Sequence, residues 1–353
     1  MDRQTGLCGV LVAWLVLAGC SAAEPTVVTA YRPSDALEAA RLARLMRLEE
    51  KARPRIARLR EEAEAAQARY FSAAEALHAP ELPPEVVRPT SEQVEKFRKE
   101  ATAAWRAWRI AFESLVAQYQ TFFARYPRNW YARHRLASFF ADSGLPFYPA
   151  AAEQWEKVIE MEPRFVFAYN NLGTLYNHMG RDMEAVDLYL KSISIKPDDP
   201  MFYLNLAVNY STHRQDVAEK FGWDLPRVFR ECIAAYRKAR ELAPDDAQIA
   251  YDLASQYILA KYFGLEDTAD EAVAAWNDYL RFKLSPRERS IAYRNVGRIY
   301  LKEKNDPRQA IVWLEGALAL TPGDPSAQAL LDQARAALAG SAEKESATAP
   351  EQE

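Results

Sequence analysis

Few residues in this chain are spaced for catalysis or metal binding. The four histidines are scattered, and the sequence holds no Cys-x-x-Cys, no His-Glu-x-x-His and no glycine-rich phosphate loop. Of the three cysteines, Cys8, Cys20 and Cys232, only Cys20 directly follows an apolar run that ends in small residues. We therefore predict a protein that is not an enzyme, that binds no cofactor or metal, and in which the thiol of Cys20 is the informative reactive group.

The apolar run before Cys20 covers Val10 to Ala18, which is too short to cross about 30 Å of hydrocarbon. The sequence Leu17-Ala18-Gly19-Cys20 resembles the lipobox of bacterial lipoproteins. That resemblance implies a signal peptide at residues 1–19, cleavage before Cys20, and lipidation of its sulfur and amine. Ser21 would further imply sorting to the outer membrane, facing the periplasm. The alternative is an uncleaved signal anchor within residues 5–23.

Composition favours a folded, helical protein. Hydrophobic residues make up 49% of the chain, enough to build a core, and the formal charge of −4 lacks the basic excess expected of a nucleic-acid-binding protein. Ala, Leu, Glu and Arg dominate, and these residues favour α-helix.

Two long amphipathic segments precede the main body of the chain. We predict a tether over residues 20–33 and a helical hairpin over residues 34–128. The first stripe runs from Ile56 to Leu77 in steps of three and four residues, with a break or kink expected at Pro54. A proline-rich turn follows, and Thr90 with Gln93 forms a capping box for the second helix. The hairpin is expected to cap the repeats that follow or, alternatively, to act as a coiled coil for oligomerisation or partner docking.

Prolines recur at positions 127, 163, 197, 244, 286 and 322, and the spacing of 34 between the second and third suggests a repeat. The clearest copy contains Leu172, Gly173, Tyr176, Ala185 and Tyr189. This pattern resembles the tetratricopeptide family, and it recurs five times between residues 129 and 322. The resemblance implies an all-α fold: a right-handed tetratricopeptide-like α-solenoid over 129–340, with a capping helix and a disordered tail over 341–353. Insertions around 211–226 and 259–270 are expected to protrude as loops.

Polar side chains recur on the first helices of these repeats. The sixth position holds Asn171, Asn205 and Asn295, with Arg135 and Asp252 in the other two repeats. In some peptide-binding family members, asparagines at this position pair with a peptide backbone, because an amide both donates and accepts hydrogen bonds. The resemblance therefore implies a peptide-binding set of Asn170, Asn171, Asn177, Asn205, Asn209, Arg294, Asn295 and Arg298. The alternative is that these side chains are merely solvated.

Together these features predict a membrane-anchored lipoprotein that acts as a scaffold or adaptor in a cell-envelope complex. It would bind a protein or peptide partner, as an extended segment or a helix, in the concave groove. Two alternatives remain: an accessory or hydrolytic envelope enzyme using Glu219, Asp224, Glu266 and Asp267 in the insertions, or a purely structural spacer.

Overall fold

The computed structural model describes residues 31–81, 83 and 86–347. Over these residues the chain forms fourteen α-helices, two 3₁₀ segments and no β-strand, so the predicted all-α class is confirmed. The chain divides into two compact units, residues 1–175 and 176–353. The predicted signal peptide, Cys20, most of the tether and residues 348–353 lie outside the described residues.

The helices follow the predicted order. They are α1 (Ala36–His78), α2 (Ser91–Arg125), α3 (Trp130–Asp142), α4 (Tyr148–Met161), α5 (Val166–His178), α6 (Asp182–Ile195), α7 (Pro200–Thr212), α8 (Arg214–Phe221), α9 (Leu225–Leu242), α10 (Ala247–Gln256), α11 (Ala269–Tyr279), α12 (Pro286–Lys302), α13 (Pro307–Leu320) and α14 (Pro325–Ala347). The 3₁₀ segments are Leu145–Phe147 and Tyr257–Phe263.

Helices α1 and α2 form the N-terminal hairpin of the first compact unit. Ile56, Ala63 and Ala66 on α1 are buried, as are Ala101 and Leu115 on α2. The capping box at Thr90 is present in both directions, since Gln93 N donates to the Thr90 hydroxyl and Thr90 N donates to the Gln93 side chain. The two predicted stripes therefore meet each other.

Of the break or kink expected at Pro54, the break does not occur, since α1 continues through Pro54 to His78. A proline inside a helix removes one backbone hydrogen bond and costs about 3 kcal/mol. The buried stripe of α1 continues on both sides of Pro54, from Leu45 to Ala66. Burial along the whole helix offsets that local cost.

The hairpin also packs on the first repeat. Phe112 of α2 stacks on Phe139 of α3, with ring centroids 5.0 Å apart, and lies 4.5 Å from Phe147. Glu49 of α1 is fully buried and pairs with Arg135 of α3 through two contacts of 3.1 and 3.2 Å. These contacts match the capping interpretation of the hairpin.

Five successive helix pairs follow the predicted repeats. Five of the six noted prolines lie in turns that separate one pair from the next, where the missing N–H costs nothing. Pro286 differs, because it is the first residue of α12 and follows the N-cap Ser285.

Small residues permit close helix packing in the second compact unit. A Cβ added to Gly297 of α12 would lie 2.7 Å from Leu314 Cγ of α13, closer than packed atoms approach. Cys232 of α9 lies on the second helix of its pair, where the last pair has Ala310, and is 1% exposed, with its Sγ 3.3 Å from the carbonyl oxygen of Ala207. Burial raises the pKa of the Cys232 thiol far above its usual range, as expected for an inert core cysteine.

Both insertions contain helical segments and are not simple loops. Residues 214–221 form α8, whose Val217 is fully buried, and residues 257–263 form a 3₁₀ segment that buries Phe263. Each insertion buries an apolar residue against adjacent helices, while charged residues such as Glu219 and Glu266 stay exposed.

The last helix is longer than expected. The sequence predicts that the capping helix ends near residue 340, whereas α14 continues to Ala347. Its Leu331 and Ala334 pack in one buried cluster with Leu314 and Leu301 of the last pair, as a capping helix would. The Ala-, Ser- and Glu-containing extension has good helix formers, which allows the helix to continue past its buried part.

Candidate peptide-binding face

Asn170 and Asn171 lie on α5 in the first compact unit, and each is 8% exposed. The Asn170 amide nitrogen is 3.4 Å from Asn171 Oδ1, a long contact. Little of either amide is therefore open to solvent in this structure. Their predicted role in peptide binding stays a prediction.

Asn177 and Asn209 belong to a hydrogen-bonded chain in the second compact unit. Asn209 Nδ2 donates to Asn177 Oδ1 at 2.7 Å, and Asn177 Nδ2 donates to the Tyr189 hydroxyl at 3.1 Å. Asn209 is 1% exposed, so its amide nitrogen joins helices rather than facing solvent. Asn205, one turn earlier on α7, is 7% exposed.

Asp252 occupies the sixth position of α10, where other first helices carry asparagine. Gln248 Nε2 donates to Asp252 Oδ1 at 2.8 Å, and no ion pair to Asp252 is present among the described residues. Burial raises the pKa of Asp252 to about 6, against the lowering effect of the Gln248 hydrogen bond. The position is thus a half-buried carboxylate that lacks a cation.

Helix α12 presents the most open part of the predicted set. Arg294 pairs with Asp324 at 2.6 Å, and Arg298 pairs with Glu303 at 3.4 Å. Arg298 Nη2 is buried and has no hydrogen-bond acceptor in the described structure. Asn295 lies between the two arginines, is half-buried, and makes no side-chain hydrogen bond to another described residue. The face combines an available amide with guanidinium donors whose hydrogen bonds are incomplete.

The aromatic residues of the first insertion fold back. Phe221 and Trp223 stack with centroids 4.5 Å apart, and each meets Tyr210 of α7 edge to face. The guanidinium of Arg227 lies 4.6 Å from the Trp223 ring centroid. These aromatics therefore pack on a neighbouring helix.

The histidines are dispersed and not arranged for catalysis. His134 is fully buried, accepts a hydrogen bond from Trp155 Nε1 at 3.2 Å, and has its pKa lowered to about 3 by burial. Burial also lowers the pKa of His178. Both imidazoles are therefore neutral near pH 7.

The carboxylates of the enzyme alternative do not form a pocket. Glu219, Glu266 and Asp267 are exposed, and Asp224 is the N-cap of α9, where its Oδ1 accepts from Arg227 N at 2.8 Å. Over the described ranges no His, Cys, Asp and Glu side chains cluster as a metal site would require. Also within those ranges, no helix has the length and apolar character needed to span a bilayer.

The fold and this face define an all-α protein of repeated helical hairpins with polar first-helix positions. A family model described as "Tetratricopeptide repeat" matches residues 155–187. Residues 155–187 therefore match a tetratricopeptide repeat, and repeats of this class are in general protein-interaction modules.

Several solved structures resemble this chain. The C-terminal part of a TPR repeat-containing protein from Cytophaga hutchinsonii aligns at 15% identity, covering 63% of this chain and 80% of its own, with a TM-score of 0.48. YrrB, described as a TPR protein with an unusual peptide-binding site, aligns at 17% identity over 60% of this chain and 95% of its own, with a TM-score of 0.46. PilF of Pseudomonas aeruginosa aligns at 16% identity over 64% and 91%, with a TM-score of 0.43.

No curated protein sequence matches this chain. The similarities to solved structures are at low identity and concern the fold alone. Assignment of a ligand therefore depends on the side chains of this chain itself.

Proposed function

We propose that the protein is a membrane-anchored, non-enzymatic lipoprotein that serves as an interaction scaffold in a cell-envelope complex. Its partner is a protein or peptide that lies along the first-helix side of the second compact unit. The outer membrane, facing the periplasm, is the proposed location, on the strength of the lipobox and Ser21.

The observation that carries the binding role is the unused hydrogen-bonding capacity on α12. The Asn295 amide has two donors and an acceptor with no described partner, and Arg298 Nη2 lacks an acceptor beside it. A ligand that supplies the missing partner of such a half-buried polar group binds more favourably. A peptide backbone offers both carbonyl oxygens and amide N–H groups, so it matches an asparagine better than a purely anionic ligand would.

The anchoring role rests on the lipobox and on the way the chain leaves the first compact unit. The Tyr31 hydroxyl donates a hydrogen bond to the Glu38 carboxylate. Asn129 Nδ2, just before α3, donates to both Tyr31 and Glu38 at 2.7 Å. Tyr31 is thus held against the first repeat. Tyr31 is eleven positions after Cys20 in the chain, so the proposed lipid lies within about 40 Å of that point.

Site-specific photo-cross-linking tests the binding face in intact cells. A photoreactive amino acid replaces Asn295 on α12 or, as a matched control, Asn277, which is exposed on the second helix α11. We expect a discrete cross-linked partner from position 295 and none from position 277. The same reagent at Phe71, exposed on the N-terminal hairpin, tests the alternative docking surface. Adducts from 71 or 277 without any from 295 would show that the proposed face is wrong.

A further inference from the structure

The segment from residue 281 to residue 304 is strongly basic in a chain whose formal charge is −4. It contains two acidic residues, Glu288 and Glu303, and eight basic ones: Arg281, Lys283, Arg287, Arg289, Arg294, Arg298, Lys302 and Lys304. This charge surrounds the same helix, α12, that carries Asn295. The excess is local and is not visible in the composition of the whole protein.

Four of these cations share one side of α12. Arg287, Arg294, Arg298 and Lys302 follow one another at intervals of seven, four and four residues, which places them on one helical stripe. The opposite side is buried through Val296. At 1.5 Å per residue, this basic stripe is about 22 Å long.

The neighbouring helices neutralise only part of the basic stripe. Arg294 and Arg298 have the ion pairs with Asp324 and Glu303, and the second of these is long, at 3.4 Å. Lys302 meets the uncharged amide of Gln333 at 2.6 Å, and Arg287 is exposed without an ion pair among the described residues. The stripe therefore keeps positive charge at both of its ends.

We propose that the basic stripe of α12 docks an acidic polypeptide segment of the partner, with carboxylates at the Arg287 and Lys302 ends and its backbone against Asn295. This inference rests on the proposed function and names the chemical class of its partner. Carboxylates complement the two unpaired cations, and the segment's amide groups match the amide of Asn295.

A peptide fits this stripe better than a phosphate polymer or a lipid surface does. The side chains of Arg294 and Arg298 are only 27% and 26% exposed, so the middle of the stripe is recessed. A flat anionic surface such as a membrane contacts only cations that protrude, whereas a single peptide chain can also contact recessed ones such as Arg294 and Arg298. Asn295 also offers an acceptor, which the N–H groups of a peptide backbone can use and the oxygens of a phosphodiester cannot.

Fluorescence anisotropy with a labelled peptide of alternating Glu and Ala tests the proposal on the full chain in neutral detergent. The test variant is Arg287→Glu/Lys302→Glu, in which both substituted side chains are exposed. The matched control is Arg308→Glu, an exposed residue of α13 with no described ion pair. We expect the double variant to raise the dissociation constant about tenfold or more, and the control to change it little. Binding should also weaken as the salt concentration rises.

Equal binding of a matched Lys and Ala peptide, or equal weakening by Arg308→Glu, would overturn the proposal. So would stripe-dependent binding of phosphatidylglycerol micelles without binding of the Glu peptide, since that identifies a lipid surface. The milder Arg287→Gln/Lys302→Gln variant keeps the test informative if charge reversal disturbs folding. If cross-linking at position 295 persists while the acidic peptide fails to bind, the acidic-segment inference alone is wrong. If the peptide binds and position 295 captures nothing in cells, the proposed function fails instead.

Discussion

The environment of Asp252, on a first helix, could not be predicted from its position in the repeat. Asp252 stands where asparagine is found in other repeats, yet it is a carboxylate held in a half-buried place without a cation. Tyr236 of α9 and Asp246 in the preceding turn are the titratable groups that interact with it. None of them stabilises a negative charge there.

The pH dependence of stability follows from this environment. Because burial raises the pKa of Asp252 from 3.8 to about 6, ionisation is less favourable in the folded than in the unfolded chain. Its contribution to stability is full below the unfolded pKa and is lost as pH rises towards about 6. Asp252→Asn should therefore raise the free energy of unfolding by about 1 kcal/mol near pH 7 and change it little near pH 4.

Denaturant unfolding at the two pH values measures this effect. Asp245→Asn is the matched control, because Asp245 is exposed and lies in the turn just before α10. An equal gain at both pH values, or a loss near pH 7, would contradict the electrostatic explanation.

At the scale of helices, the docking of the N-terminal hairpin depends on a buried ion pair. Glu49 of α1 is fully buried, and its carboxylate contacts Arg53 at 2.6 Å and Arg135 of α3 at 3.1 Å. Arg53 also donates to the Arg135 carbonyl oxygen at 2.8 Å and pairs with Asp142 at 2.9 Å. These groups fix one register of α1 against α3.

Glu49→Ala should leave two arginines partly buried without their shared carboxylate. We expect this change to lower the free energy of unfolding by about 3 kcal/mol. Hydrogen–deuterium exchange of α1 and α3, together with thermal unfolding, measures it. We expect faster exchange in both helices. Glu64→Ala, which removes an exposed pair with Arg60 on the same helix, should cost less than about 1 kcal/mol. If the two variants behave alike, the buried pair does not hold the hairpin in place.

At the scale of the whole molecule, the proposed membrane location depends on Cys20. Cys20→Ala should abolish incorporation of labelled palmitate and move the protein from the membrane fraction to the soluble fraction, because the thiol that would carry the lipid is gone. Cys8→Ala is the matched control, since Cys8 lies inside the leader and has no lipobox before it. A Cys20→Ala protein that stays in the membrane at unchanged mass would instead support the signal-anchor alternative.

Much of the architecture was predictable because it is encoded locally. The three-and-four spacing from Ile56 to Leu77, the capping box at Thr90 and the prolines between repeats all act within a few residues. The absence of a break at Pro54 and the helical segments within the insertions were not predicted, for the opposite reason. In both cases packing against distant helices outweighed a local preference.

The candidate site was less predictable than the fold. The sequence drew attention to asparagines by their position in the repeat, but it did not show that Asn209 and Asn177 bind each other. It also gave no weight to Arg287 and Lys302, although their spacing relative to Arg294 and Arg298 was a usable signal. Neighbours distant in the sequence, such as Asp324, thirty residues after Arg294, decide which polar side chains remain exposed to solvent.

The sequence by itself determined that this protein is a series of amphipathic helices in a repeating order, because helix periodicity, caps and turns depend on adjacent residues. The tertiary structure decided which of the recurrent polar side chains are used between helices and which remain available on α12. Hydrogen bonds and ion pairs form between whichever side chains packing brings within about 3 Å, and that proximity is a property of the folded chain.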